Sequence, residues 1–181
     1  DRPLPEGPDG DSSAVIGMVL ADLDGDGRSE LIDTTPAGWV AYRLEDDRLK
    51  RIDSAEIPGM RHAIPFQGDA LAGPALVAVG EDGGLGIWPP GPGRLGFLSL
   101  AFSGMEEAGK SMRSNASAIG TRVGIRVGAG WSQRESYRSY SGPGQSLQPT
   151  VIGLGGAQRA DYIAIDWSDG VFQSELDLEP G

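Results

Sequence analysis

The sequence predicts an all-β protein made of two propeller-type blade repeats packed with a small C-terminal β-sandwich or barrel. Glycine (29 residues) and proline (13 residues) are abundant among the 181 residues, as in chains whose short strands are joined by turns. Runs of β-branched and aromatic residues alternate with clusters of turn formers. A pattern of apolar and aromatic segments also recurs at an interval in the mid-forties, which is the repeat length typical of propeller blades.

The composition divides the chain into three parts. Residues 1–13, rich in proline, glycine and aspartate, are predicted to be a leader. Residues 14–102 hold the two repeats, about 14–57 and 58–102, and residues 103–181 form the C-terminal unit after a polar linker. Because the chain starts at Asp1 rather than at a methionine, we expect a processed form or an excised piece.

The repeat is visible at three places, each aligned with a later copy. The aligned pairs are Glu30-Leu31-Ile32 with Ala75-Leu76-Val77 at an offset of 45, and Gly38–Tyr42 with Gly84–Trp88 and Asp47–Leu49 with Gly93–Leu95, both at an offset of 46. Each unit is predicted to end in a further strand, Leu49–Ile52 in the first and Leu95–Leu100 in the second. Two blades are too few to close a propeller, which has about four to eight. We therefore expect the repeats to pack against the C-terminal unit or to belong to a longer parent.

An acidic loop lies between the first two predicted strands, Val15–Leu20 and Leu31–Pro36. The side chains of Asp22, Asp24 and Asp26, the main-chain carbonyl of Arg28, and Glu30 are predicted to bind Ca²⁺, which takes six to eight oxygen ligands. Gly27 is expected at positive φ, which only glycine adopts without strain. The alternative is an ordinary polar turn. In the second repeat the equivalent positions are Gln67, Asp69, Leu71 and Ala75, which predicts no second calcium site.

Two segments resemble known families. Ala21–Ile32 resembles the FG-GAP (VCBS) repeat of calcium-carrying β-propellers, departing from it at Glu30, where Asp is usual. Roughly residues 111–172 resemble the ASPIC/UnbV domain. The matching blocks are Ser114–Val123, Ser141–Gln148, Gly153–Gly155 and Ile163–Gly170. The middle block departs from the pattern at Pro143 and lacks the usual aromatic residue near Gln145.

The two resemblances together match the arrangement of the cartilage acidic protein family and its bacterial relatives. This resemblance implies a secreted, calcium-binding protein. Within the C-terminal unit the alternation of residues predicts strands. They are Ala118–Trp131, Gln133–Tyr140, Val151–Gly153, Tyr162–Trp167 and Val171–Leu178, with turns at Gly153–Gly156 and Ser168–Gly170.

Charge and cysteine content exclude several classes of function. A net charge of −11 and a pI of about 4.4 argue against a nucleic-acid partner, which needs a basic footprint. No apolar run approaches the roughly 18 residues of a membrane helix, so we expect no membrane insertion. The absence of cysteine excludes disulfides, thiolate metal sites and cysteine nucleophiles.

Candidates for chemistry are few. His62 has no neighbouring catalytic motif and is interpreted as a surface residue, while Asp161, Asp166 and Asp169 are interpreted as turn residues rather than as glycosidase acids. The four tryptophans are mainly expected in the core. An exposed ligand patch is predicted at Tyr137, Arg138, Tyr140 and Gln145.

The sequence therefore predicts a non-catalytic, calcium-binding adhesion or ligand-binding module of a secreted or cell-surface protein. Its partner is expected to be a protein or a carbohydrate. The alternative is an enzyme, or an enzyme's accessory domain, that acts on a carbohydrate or a secondary metabolite. A third hypothesis is a scaffold whose ion loop is vestigial.

Overall fold

The computed structural model describes residues 15–69, 72–104, 116–136 and 149–181, and every regular element in these ranges is a β-strand. The strands are β1 (Gly17–Ala21), β2 (Glu30–Thr35), β3 (Gly38–Glu45), β4 (Arg48–Glu56), β5 (Met60–Asp69), β6 (Gly73–Gly80), β7 (Leu85–Trp88), β8 (Phe97–Leu100), β9 (Arg122–Val127), β10 (Gly130–Glu135), β11 (Thr150–Gly153), β12 (Ala160–Asp166) and β13 (Phe172–Leu178). The predicted all-β class is confirmed. No sheet of the described residues closes into a barrel.

The N-terminal half consists of two antiparallel sheets that share one core. The first sheet has the order β1-β2-β3-β4 and the second has the order β5-β6-β7. In β2, alternate residues are buried between the sheets, as in a strand with one covered face. The tryptophans Trp39 and Trp88 meet edge to face there, with ring centroids 6.2 Å apart. The core contains Leu23, Ile32, Trp39, Ala41, Met60, Ala63, Leu76 and Ala78.

The two sheets repeat the same strand register. Met18 pairs with Asp33 in the first sheet, and Ala63 pairs with Ala78 in the second. Across the next hairpin the pairs are Ile32–Ala41 and Val77–Ile87. Each pair of the second sheet lies 45 or 46 residues after its counterpart, so the internal repeat seen in the sequence is a repeat of structure.

The last strand of the second unit does not join the second sheet. β8 pairs instead with β11 of the C-terminal unit, with Phe97 opposite Gly153. Its predicted strand character is confirmed, but its partner is a strand more than fifty residues later. The second sheet therefore has three strands, and the four-stranded pattern of the first is not completed by β8.

The C-terminal unit packs the β8–β11 pair against a third sheet of order β10-β9-β12-β13. Both contribute to one core, made of Leu98, Val123, Ile125, Ile152, Leu154, Ala160, Ile163 and Ile165. The predicted alternation in β9 is confirmed, since Val123 and Ile125 are buried and Arg122 and Arg126 are exposed. The turn predicted at Gly153–Gly156 is also present, closed by a hydrogen bond from Ala157 N–H to Leu154 C=O of 3.0 Å.

The prediction of one strand from Ala118 to Trp131 is wrong. The chain turns at Gly128 and Ala129, and Gly130 pairs back onto Val127 as the first residue of β10. Gly128 has φ of 60°, which ends the extended conformation there. Trp131 is exposed on β10 and packs edge-on against Tyr162, so it is not a core residue.

Some predictions fall outside the described residues. These are the leader and the ligand patch of Tyr137, Arg138, Tyr140 and Gln145. In the described ranges no helix is long and apolar enough to cross a membrane.

Candidate cation-binding site

The acidic loop connects β1 to β2 and is held together by hydrogen bonds among its own residues. Leu23 points into the core between the first two sheets, which anchors the start of the loop. Gly27 has φ of 88°, as expected from its position at the sharp turn. Asp24 and Asp26 each accept a hydrogen bond from a backbone N–H two residues later, at 3.2 and 2.8 Å. Aspartates commonly stabilise turns in this way.

Three of the predicted ligands lie together. Asp22, Asp24 and Glu30 each offer a carboxylate oxygen, and these atoms lie within 4.8 Å of one another. Ligands on opposite sides of one Ca²⁺ are separated by up to about 5 Å, because each bond is about 2.3 to 2.6 Å long. The three carboxylates could therefore hold one cation. Asp26 is not in the cluster; its Oδ1 accepts the N–H of the exposed Arg28.

Asp22 is buried and its carboxylate is held by three backbone N–H groups. Oδ1 accepts from Gly25 at 2.7 Å, and Oδ2 accepts from Gly27 at 2.9 Å and from Gly153 at 3.1 Å. An ionised carboxylate has about four acceptor positions. Oδ1 therefore keeps a lone pair that could face a cation.

Arg43 is a cationic side chain at this cluster, and no motif in the sequence predicted it. Its guanidinium forms ion pairs with Asp24 and with Glu30, the latter at 3.2 Å from Nε to Oε1. Glu30 is fully buried, and its other oxygen accepts the Leu23 N–H at 2.8 Å. Leu31 pairs with Tyr42, so the β2–β3 hairpin places Glu30 opposite Arg43. The two-residue turn at Pro36-Ala37 was the signal that could have revealed this pair.

Burial makes ionisation of Asp22 and Glu30 costly. Burial raises the pKa of Asp22 despite its hydrogen bonds from Gly25 and Gly27, and burial raises the pKa of Glu30 despite the Leu23 N–H and Arg43. Burial alone would lower the pKa of Arg43, but its contacts with Glu30 and Asp24 outweigh this and raise it. Arg94 also lies near these carboxylates, and burial lowers its pKa. The negative charge of the loop is thus held in a poorly solvated place, which favours a compensating cation.

These pKa directions predict a pH effect in the ion-free protein. A carboxyl whose pKa is raised by folding contributes stability below its unfolded pKa, near 4, and that contribution is lost as pH rises through the folded pKa. In EDTA, we expect the free energy of unfolding of the wild type, relative to Glu30→Gln, to fall as the pH rises above about 4. Urea unfolding of both proteins across this range measures it. A difference that stays constant or rises would contradict the prediction.

The loop also contacts the C-terminal unit. Besides the bond from Gly153 to Asp22, Gly155 N–H donates to Gly25 C=O at 2.8 Å. Within the N-terminal half, Leu95 N–H donates to Asp24 C=O at 2.7 Å. A Cβ on Gly153 would overlap Asp22 Oδ2 and the backbone of Gly25. The packing therefore requires glycine at 153. These contacts span up to 131 residues of sequence, and no local pattern revealed them.

Two of the other candidate acids accept backbone hydrogen bonds in turns. Asp161 Oδ2 accepts the Gly128 N–H at 2.6 Å, and Asp169 Oδ1 accepts the Val171 N–H at 3.1 Å. Asp166 is exposed at the end of β12. In the described part of the chain, these three do not join any cluster of potential metal ligands.

Comparison with known protein families gives a match for the C-terminal unit. Residues 109–181 match the family model described as ASPIC and UnbV. Comparison of the chain with curated proteins and with solved structures gives no match. The segment from residue 109 to residue 181, which includes the glycines that contact the acidic loop, therefore resembles the ASPIC/UnbV domain, and the likeness covers less than half of the chain.

Proposed function

We propose that this protein is a non-catalytic, calcium-binding module in which the ion stiffens the contact between the N-terminal sheets and the ASPIC/UnbV domain. One observation carries the proposal. The clustered carboxylates of Asp22, Asp24 and Glu30 lie on the same short loop that accepts hydrogen bonds from residues 95, 153 and 155. An ion bound there would fix both the loop and the surface that packs on it.

The repeat is proposed to be of the FG-GAP (VCBS) type, with sheets that correspond to propeller blades. The first sheet is a four-stranded antiparallel meander whose β1–β2 loop carries the acidic residues, and the second repeats its register. Asp22, Asp24 and Glu30 would bind the ion directly. Asp26 and the Arg28 carbonyl would require rearrangement of the loop to do so. The bound ion would supply positive charge to the buried carboxylates, which is the role that Arg43 has here.

The proposed setting is extracellular. Calcium sites of extracellular modules work at about 10⁻⁴ to 10⁻³ M Ca²⁺, a concentration available outside cells. The strongly acidic chain disfavours nucleic acid as a partner, so the ligand of the module is proposed to be a protein or a carbohydrate. Binding to arrayed glycans and matrix proteins is expected with calcium and is expected to weaken in EDTA.

Thermal unfolding with calcium tests the ion directly. We expect millimolar CaCl₂ to raise the Tm of the wild type by several degrees over EDTA, because a ligand that binds the folded state stabilises it by mass action. MgCl₂ should raise it less, since Mg²⁺ demands a tighter octahedral site and gives up its waters reluctantly. Asp24→Asn removes one ligand charge and should abolish most of the shift.

Asp47→Asn is the matched control, because Asp47 lies in the β3–β4 turn, away from the cluster, at a φ of 60° that asparagine also tolerates. This variant should keep the full calcium shift. An equal shift with magnesium would reject a calcium-selective site. No shift with either ion would reject the cation site and leave the loop as a turn neutralised by Arg43.

A further inference from the structure

The outer face of the third sheet carries aromatic and charged side chains. Its inner face holds the core residues Val123, Ile125 and Ile163, so the residues between them point outward. The strand register arranges the outward residues in three rows across the sheet, about 7 Å apart. The first row is Trp131, Arg126, Tyr162 and Leu176, the second is Gln133, Gly124, Ala164 and Ser174, and the third is Glu135, Arg122, Asp166 and Phe172.

The first row contains an exposed aromatic pair. The rings of Trp131 and Tyr162 meet edge to face with centroids 6.0 Å apart, although β9 lies between their two strands. The six-membered ring of Trp131 lies over Gly124, since a Cβ on that glycine would be 3.5 Å from it. Trp131 is nevertheless 60% exposed. The pair therefore offers aromatic surface on which a ligand could stack.

The second row forms a shallow trough beside this aromatic pair. Gly124, Ala164 and Ser174 have small or absent side chains, whereas the rows on both sides carry long ones. Gln133 and Ser174, at opposite ends of the row, offer amide and hydroxyl groups. A sugar ring fits such a surface, because its C–H face is apolar and stacks on an indole while the hydroxyls at its rim need polar partners.

Arg126 places a positive charge beside the aromatic pair. Its two cross-strand neighbours are Trp131 and Tyr162, both uncharged. Arg122 of the third row, by contrast, has a carboxylate residue on each side. Because the chain as a whole has a net charge of −11, a cation in this setting favours an anionic ligand group. A guanidinium binds a carboxylate through two parallel hydrogen bonds.

We propose that the outer face of the third sheet binds an acidic glycan, with a uronic acid ring stacked on Trp131 and its carboxylate on Arg126. The next sugar would lie in the trough and bond to Gln133 and Ser174. The inference rests on the proposed function in taking a glycan as the ligand of the module. The face itself is independent of the acidic loop, because it is backed by the core of the C-terminal unit.

Calorimetric titration with matched oligosaccharides in millimolar CaCl₂ tests the ligand class. The acidic probes are tetrasaccharides of glucuronic, galacturonic and mannuronic acid. Each is compared with the neutral tetrasaccharide that has CH₂OH in place of every carboxylate. We expect the wild type to bind at least one acidic probe about tenfold or more tightly than its neutral counterpart, because the carboxylate adds charge-assisted hydrogen bonds.

Two substitutions separate stacking from charge. Trp131→Ala should weaken binding of the acidic and the neutral probe alike, by at least about tenfold, and should fold because Trp131 lies outside the core. Arg126→Gln should remove the preference for the acidic probe and leave the affinity for the neutral one nearly unchanged. Leu85→Ala and Arg48→Gln, at an exposed leucine and an exposed arginine of the N-terminal sheets, are the matched controls and should bind like the wild type.

The outcomes distinguish this inference from the proposed calcium module. Trp131→Ala should keep the full rise of Tm with calcium. The inference fails if this variant binds the acidic probe like the wild type, if no acidic probe is preferred over its neutral counterpart, or if tetraglutamate binds as tightly as the glycans. If calcium does not raise the Tm of the wild type but Trp131→Ala still loses the glycan, the calcium module fails and the glycan-binding face stands.

Discussion

Replacing Arg43 by methionine is expected to lower the free energy of unfolding in EDTA at pH 8 by about 2 to 3 kcal/mol. The guanidinium faces Asp24 and the fully buried Glu30. Removing one partner of a buried pair leaves an uncompensated charge, which typically costs about 3 to 5 kcal/mol. Because Arg43 is about a quarter exposed, solvent screens part of that charge and the expected loss is smaller.

Calcium should reverse most of this loss. If the ion takes over the charge compensation now supplied by Arg43, Arg43→Met will approach the wild type in millimolar CaCl₂, and it will bind calcium more tightly because no guanidinium competes. Urea unfolding in EDTA and in calcium, together with calorimetric titration, measures both effects. Arg48→Met, at an exposed arginine that begins β4, is the control and should change neither. A loss of equal size in both conditions would mean that Arg43 is a structural partner of Glu30 with no relation to an ion.

Local features of the sequence predicted the loop and its flanking strands correctly. Asp22, Asp24 and Glu30 converge because their spacing is set by one tight turn, and Gly27 supplies the positive φ that this turn needs. The repeat was also predictable, because strand pairing preserves the interval between the copies. What these features share is that each depends on residues close together along the chain or on a simple period.

The remaining features depend on tertiary packing. β8 has the pattern of a strand, but its pairing with β11 follows from the position of the C-terminal unit and has no trace in the pattern of β8 itself. The β9–β10 turn was missed because Gly128 lies in a segment where glycine recurs at 120, 124, 128 and 130 without breaking the alternation. The position of Arg43 opposite Glu30 follows from the register of the β2–β3 hairpin. It could have been predicted only by pairing the residues of the two strands one by one.

Gly153→Ala is expected to separate the acidic loop from the C-terminal unit. The added methyl group would overlap Asp22 Oδ2 and the backbone of Gly25, and neither can retreat because both belong to the same closed turn. Overpacking of this kind costs about 1 to 3 kcal/mol, and loss of the Gly153 N–H bond to the buried Asp22 adds to it. We therefore expect a loss of at least about 2 kcal/mol in urea unfolding.

Hydrogen exchange locates the effect of that substitution. The amides of Gly25, Gly27 and Gly155 should exchange faster in Gly153→Ala, because their acceptors lie in the disrupted contact, while amides in the β9–β12 pairing should change little. Gly91→Ala is the matched control, since a Cβ there meets no atom within 4 Å. If the protein tolerates alanine at 153 with unchanged exchange, the loop and the C-terminal unit do not depend on each other, and an ion in the loop would stabilise the N-terminal sheets alone.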